Sequence, residues 1–330
     1  MEFRKVQKTG GSTYIISLPK DWVIKNKITE GDALQLKELK DGSLMLSTKI
    51  FEENEHKEIY LVIENEKEDL ILRKLIAIYL AGFDTIKIVS KTVLSEQIKS
   101  AVNKFTILSL GVEIVEESNN SILLQDLSKF SDLPIEKMVQ RLYNMTENML
   151  LDVKELYSNF NENFAMDIIE RDMQLDRVFW LISKQFYMAL KNSNILRDLD
   201  IDITKAFNIR SIAKLLERIG DHAVNISNMM LENRINDGKE LLQLFNYATE
   251  LFRESYHSYK HLDLNQANSV IERAHEFSNI ARKTINELNK KRGKELIGMA
   301  FIIESLIRIA MYSSDIAEIT IDEGMLKEKT

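Results

Sequence analysis

The 330 residues are 45% hydrophobic and carry a formal charge of −7, which gives apolar material for two or three cores and is too acidic for an all-over nucleic-acid coat. There is no cysteine, so disulfide frameworks, thiolate metal sites and cysteine nucleophiles are excluded. With no signal-peptide pattern and no unbroken apolar run of about 18 residues, the chain reads as cytoplasmic, without membrane insertion.

Glycines 10, 11, 31 and 42 and Pro19 all fall before residue 50, while Pro134 opens a long stretch with few breakers. Turns therefore concentrate at the N-terminus. Arg4–Gln7 reads as a strand, Thr9–Ser12 as a turn and Tyr14–Leu18 as a second strand, with a one-turn helix after Pro19. A turn at Thr29–Asp32 precedes a strand, the tight turn Lys40-Asp41-Gly42 and a last strand. Strands this short cannot bury a core alone, so a homodimer is expected.

Val6-Gln7-Lys8-Thr9-Gly10, Ser17-Leu18-Pro19-Lys20 and Ile28-Thr29-Glu30-Gly31-Asp32 resemble the AbrB-like (SpoVT/AbrB) swapped-hairpin domain over residues 1–50. That resemblance implies an interlaced dimer that binds DNA. Local charge agrees, because nine Lys/Arg against six acids leave +3 here and about −10 in the remainder. The candidate DNA contacts are Arg4, Lys5, Lys8, Lys20, Lys25 and Lys27. The chain departs from the family's arginine pattern at Gly11 and at Val23-Ile24. Lysine lacks the bidentate fork of arginine, so the departure weakens the case for base-specific reading.

Residues 51–57 read as a charged linker. Residues 56–128 then alternate strand (Ile59–Ile63), helix (Asp69–Ala81), strand (Thr85–Val89), helix (Ser95–Leu110) and two strands (Val112–Val115, Ser121–Leu124). This is the pattern of a small α/β layer domain. It contains no phosphate-cradling glycine loop and no nucleophile beside a base. The expected role is spacing, dimerisation or small-ligand sensing.

Ser131-Asp132-Leu133-Pro134 is a helix start, and Ile135, Met138, Leu142, Met145, Met149 and Leu156 form a bundle seam. Ala165–Asp172 aligns with Ala267–Ala274 at an offset of 102, and Asp221–Ile226 aligns with Ser314–Ile319. Residues 133–330 therefore hold two tandem helical repeats, about 135–232 and 240–322. The expected fold is multidomain and mainly α.

Asp172 and Asp176, and Glu217 and Asp221, are acid pairs four residues apart inside apolar helical patterns. That spacing puts both carboxylates of a pair on one helix face, where like charges repel by roughly a few tenths of a kcal/mol. A neutralising partner is implied, either a cation or arginines such as Arg171, Arg177, Arg210 and Arg218. The second repeat has Ala274, Ser278, Ala310 and Ser314 at the aligned positions, so a site there is not expected.

Leu216-Glu217-Arg218-Ile219-Gly220-Asp221-His222 closely matches the signature of the PhoU family, and the two halves look like its paired three-helix bundles. The whole order is similar to archaeal phosphate uptake regulators that join an AbrB-like domain to a PhoU domain. The resemblance implies a non-enzymatic regulator of phosphate uptake and homeostasis. It also implies Asp172, Asp176, Glu217 and Asp221 as ligands of iron, zinc, manganese or magnesium. The implied partners are DNA, a second copy, and a phosphate transporter ATPase or sensor kinase. In the alternative reading the hairpin domain serves only to dimerise. No general base, histidine cluster or phosphate loop accompanies the acids, which argues against a phosphohydrolase.

Overall fold

The computed structural model describes residues 3–38, 42–48, 56–128, 133–191, 195–196, 201–233, 239–288 and 294–327. Residues 40 and 41 of the expected hairpin turn, 51–55 of the expected linker, and Ser131 and Asp132 lie outside them. The chain divides into two compact units, Met1–His56 and Lys57–Thr330.

In the first unit β1 (Gln7–Thr9) pairs antiparallel with β2 (Thr13–Ile15), and β3 (Gln35–Glu38) with β4 (Leu44–Ser47). Helix α1 (Lys20–Lys25) follows Pro19, whose missing amide costs nothing in a first helical turn. The first strand begins at Gln7 rather than at Arg4, as its alternation had suggested. No described residue of this unit is buried, and Phe3, Val6, Tyr14, Ile16, Ile24, Leu36 and Leu44 are all more than half exposed.

The second unit opens with an α/β layer. Strands β5 (Glu58–Ile63), β6 (Thr85–Ser90), β7 (Val112–Glu117) and β8 (Ser121–Asp126) form a sheet in the order β5-β6-β8-β7. The pair β5–β6 is parallel and the other pairs are antiparallel. Helices α2 (Glu68–Ala81) and α3 (Glu96–Leu108) lie on one face, where Ile71, Leu75, Ile98, Val102 and Phe105 share a core with Ile63, Ile86, Ile88, Ile122 and Leu124. The Ser95 side chain caps α3 by accepting from the Ile98 amide.

Six long helices follow: α4 (Ile135–Ser158), α5 (Glu162–Lys191), α6 (Ile203–Asn233), α7 (Lys239–His261), α8 (Leu264–Glu287) and α9 (Lys294–Lys327). The seam read from the sequence is inward, with Ile135, Met138, Leu142, Met149 and Leu156 buried and Met145 partly so. Symmetry between the halves reaches single interactions. Arg171 on α5 pairs with Asp152 on α4, and Arg273 on α8 pairs with Glu254 on α7, each partner lying 19 residues earlier. Those two pairs are related by the same offset of 102 that aligns Ala165 with Ala267 and Ile168 with Val270, all four of which are fully buried.

One stretch, Glu295–Lys327, is long and apolar enough to cross a membrane by length and composition, although Glu304 and Arg308 interrupt its apolar run. Met299, Ile302, Ile303, Leu306, Ile309 and Ala310 of this helix are buried in the bundle core.

The layer is not a free spacer, because α2 and α3 pack on α5. Trp180 contributes to both cores. Lys184 on α5 is 2% exposed, forms an ion pair with Asp126 at the end of β8, and lies 4.4 Å from the centre of the Tyr79 ring on α2. Burial pushes its amine down to about 8, with Asp84 opposing the shift. Gly82 ends α2 at φ 76°, the left-handed cap that glycine adopts most easily. A Cβ there would also meet Met188 of α5 at 2.8 Å.

Candidate metal centre

Helices α5 and α6 pack side by side, with Gly220 of α6 facing Leu175 of α5. A Cβ at Gly220 would stand 3.1 Å from the nearest leucine methyl, so glycine lets the two backbones approach. Asp172 and Asp176 flank Leu175 on α5, and Glu217 and Asp221 flank Gly220 on α6. The helix contact therefore brings the two acid pairs into one electrostatic field. Burial first, and then the charges of Asp172, Glu217 and Asp221, push the Asp176 carboxyl up to about 7. Asp221 is raised to about 6 by burial and then by Glu217 and Asp172. Asp172 is raised by burial and by Glu217, and its Oδ1 is buried without a hydrogen-bond partner.

The direct ion pair to the cluster comes from a residue the sequence reading did not name, while Arg218, which it did name, acts on Asp221 only through its nearby charge. Lys214, one turn before Glu217, donates to both of its carboxylate oxygens at 2.7 and 2.6 Å and lies over the Phe179 ring at 4.9 Å. Of the four arginines considered, Arg171 is paired with Asp152, Arg210 lies over Phe179 and Arg218 over Tyr312, and Arg177 Nε is buried without a partner. Among the described residues none of them forms an ion pair with the four acids. Lys214 was missed although its spacing of three from Glu217 is a standard helical pairing distance. Lys214 and the nearby charge of Arg218 on Asp221 offset only part of the repulsion among four carboxyls, which is why Asp176 and Asp221 hold their protons so far above the ordinary range.

The donor set is oxygen-only, which suits hard cations, and the orphaned Asp172 oxygen and the raised Asp176 carboxyl both fit a place where positive charge is wanted. Among the described residues no three acidic or imidazole groups converge on one point as they stand. His222 is a helix-face residue beside Tyr312, with ring centres 5.9 Å apart. In the second repeat Ala274, Ser278, Ala310 and Ser314 are all buried, so the equivalent space is closed by small side chains without charge.

The six candidate DNA contacts, Arg4, Lys5, Lys8, Lys20, Lys25 and Lys27, are all exposed. Arg4 donates to the Ser17 hydroxyl at 3.4 Å, and Lys8 lies 5.8 Å from the Tyr14 ring centre.

Comparison with known proteins agrees with this architecture. Residues 7–51 match the model of antidote-toxin recognition MazE, a bacterial antitoxin. A phosphate-specific transport system accessory protein PhoU homolog from Clostridium acetobutylicum is 26% identical over 194 residues, covering 55% of this chain and 86% of that protein. Among solved structures, PhoU from Pseudomonas aeruginosa superposes with a TM-score of 0.51 at 16% identity, over 61% of this chain and all of that one. The PhoU regulatory protein of Streptococcus pneumoniae gives a TM-score of 0.46 at 19% identity, over 58% of this chain and 95% of that one. The PhoU domain model itself matches residues 139–230 and 241–320, one match for each three-helix repeat with the break at the join of α6 and α7. Since those two matches span more than half of its length, the chain belongs to the PhoU family.

Proposed function

We propose that the chain regulates phosphate uptake, holding a cation on the acid cluster of its first helical repeat and engaging DNA as a homodimer through residues 1–50. The observation that carries the cation is the four-acid field between α5 and α6, with an unpartnered buried oxygen and one lysine as its direct ion-pair partner. Asp172, Asp176, Glu217 and Asp221 would hold the ion, and iron, zinc, manganese and magnesium all accept oxygen ligands. Bound there, it would supply charge neutralisation and tie α5 to α6. The link to phosphate uptake rests on the printed name of the Clostridium relative, a phosphate-specific transport accessory protein. Metal analysis of protein purified without chelators or added ions tests the cation. A stoichiometric ion in the full chain, absent after Asp172→Asn with Asp221→Asn, is expected. Retention of the ion by that double variant would count against the site.

The DNA reading is supported by the exposed basic residues and by the match of residues 7–51 to an antitoxin model. Duplex DNA binding by the full chain should weaken linearly in log–log form as salt rises. Arg4→Ala with Lys5→Ala is expected to reduce affinity and flatten that slope by about 4 for the homodimer if each contacts a phosphate in both protomers. Equal DNA binding by residues 57–330 alone would exclude the first unit as the DNA contact.

A second reading is favoured by one observation, the large exposed apolar side chains of the first unit, which ask for a second copy whether or not DNA is bound. In that reading the hairpins only dimerise the chain, and regulation passes through a phosphate transporter ATPase or sensor kinase. Retention of DNA at moderate salt separates the two.

A further inference from the structure

The two edges of the α/β sheet are built differently. At one edge β7 carries Glu113, Glu116 and Glu117, all exposed, and its pairing with β8 is broken by an irregularity between Ile114 and Glu116. Charges and bulges on an edge strand are what keep it from pairing with another chain. At the other edge β5 reads Glu58-Ile59-Tyr60-Leu61-Val62-Ile63, holds regular register with β6 at every position, and has neither a proline nor a basic residue. Its outer backbone groups are free of any strand, and on the face away from α2 and α3 Tyr60 is 61% and Val62 55% exposed. A parallel pair such as β5–β6 is ordinarily covered on both faces; here the open face carries the Lys87 amine of β6, 5.6 Å from the Tyr60 ring centre, while the outer backbone groups of β5 stay unpaired by any strand.

We infer that β5 pairs antiparallel with β5 of a second copy about a two-fold axis at Tyr60, joining the two sheets into one. The strand is self-complementary in that register. Tyr60 stands opposite Tyr60 of the second copy, Ile59 opposite its Leu61 on the helix side, and Glu58 opposite its Val62 on the open side. The Tyr60–Tyr60 and Ile59–Leu61 pairs are of the aromatic and aliphatic kind that stabilises antiparallel ladders, while Glu58 keeps its carboxylate at the exposed end of the strand. Shifting the axis by one residue to Leu61 would set Glu58 against Glu64 of the second copy, a like-charge pair. The second copy is also the occupant that the first unit calls for, since that unit buries none of its described residues. The contact itself uses only the Lys57–Thr330 unit and does not depend on DNA or metal binding.

The absence of native cysteine makes the register directly testable in the full chain. Under mild oxidation Tyr60→Cys is expected to form a covalent dimer, because directly opposed residues bring their Cβ atoms within about 5.5 Å. Val62→Cys alone should not, since its two copies would lie four residues apart, about 13 Å along the strand. Glu116→Cys on the other edge should remain monomeric under denaturing conditions. A second measurement is hydrogen exchange in the peptide 58–63, where every amide should be slow in the native chain. In Tyr60→Lys, which sets like charges opposite each other at an exposed position, about half of those amides should become fast. Cross-linking of Tyr60→Cys no faster than Glu116→Cys, cross-linking at Val62→Cys instead, or fast exchange of half the native β5 amides would each overturn the inference.

Discussion

Stripped of metal, the protein is expected to lose on the order of 2–3 kcal/mol of stability between pH 5 and pH 8, the full shifts of about 4 kcal/mol over that range being reduced by solvent screening of two half-buried groups, and Asp176→Asn to remove most of that loss. Asp176 is raised from an ordinary 3.8 to about 7 and Asp221 to about 6. An acid whose carboxyl is raised by folding binds its proton more tightly in the native state. Its contribution is therefore complete below about pH 4 and vanishes as pH passes 7, which fixes the sign. For a unit of this size the difference corresponds to roughly 4–8 °C in melting temperature. A divalent cation takes over from the proton, so saturating manganese or magnesium should restore the melting temperature at pH 8 and leave pH 5 nearly unchanged. Asp176→Asn, with no charge to neutralise, should melt higher than the native protein at pH 8 when metal-free. If basic side chains alone compensated the cluster, chelation would leave the melting temperature unmoved, and Asp172→Asn with Asp221→Asn would destabilise the chain. That result would remove the cation from the proposed function.

The elements of the second unit were legible because their sequence periods are clean. The strands expected at Ile59–Ile63 and Thr85–Val89 extend by one residue each, and the helix expected to start at Asp69 starts at Glu68. The two-fold repeat was legible too, since Arg171 and Arg273 keep their ion pairs as well as their alignment. Two features were not visible. One was the counter-charge at the acid cluster, because four arginines near in sequence drew attention from Lys214, and only packing turned Arg210 and Arg218 onto the Phe179 and Tyr312 rings. The other was the docking of the α/β layer on α5. It depends on Lys184, a residue that any reading of hydrophobic pattern places at the surface. No local signal distinguishes Lys184 from Lys191, which lies seven residues on and remains exposed while donating to the Ala81 carbonyl at 3.0 Å.

Lys184→Ala should be the most damaging single change at that junction, lowering stability by about 3–5 kcal/mol. The argument is one of uncompensated burial. The Asp126 side chain is 6% exposed and receives the Lys184 ammonium at one oxygen, while the amide and hydroxyl of Ser128 donate to the other at 2.9 and 2.6 Å. Removing the lysine leaves a buried carboxylate without its ion-pair partner, held only by the two Ser128 donors on the other oxygen. Burial already pushes the Lys184 amine down to about 8, so the ion pair is itself held at a desolvation cost. Lys184→Met combined with Asp126→Asn should consequently recover more than half of the loss. Methionine fills the stem's volume against Tyr79, and asparagine still accepts from Ser128 without a charge. The damage should also be local in its first step. Hydrogen exchange in α2 and α3 is expected to rise before that in α6 or α9, because the layer has its own core and is joined to the bundle through α5. A Lys184→Ala variant within about 1 kcal/mol of the native chain, or a double variant no better than the single one, would show that apolar packing around Trp180 and Met188 holds the layer without the ion pair.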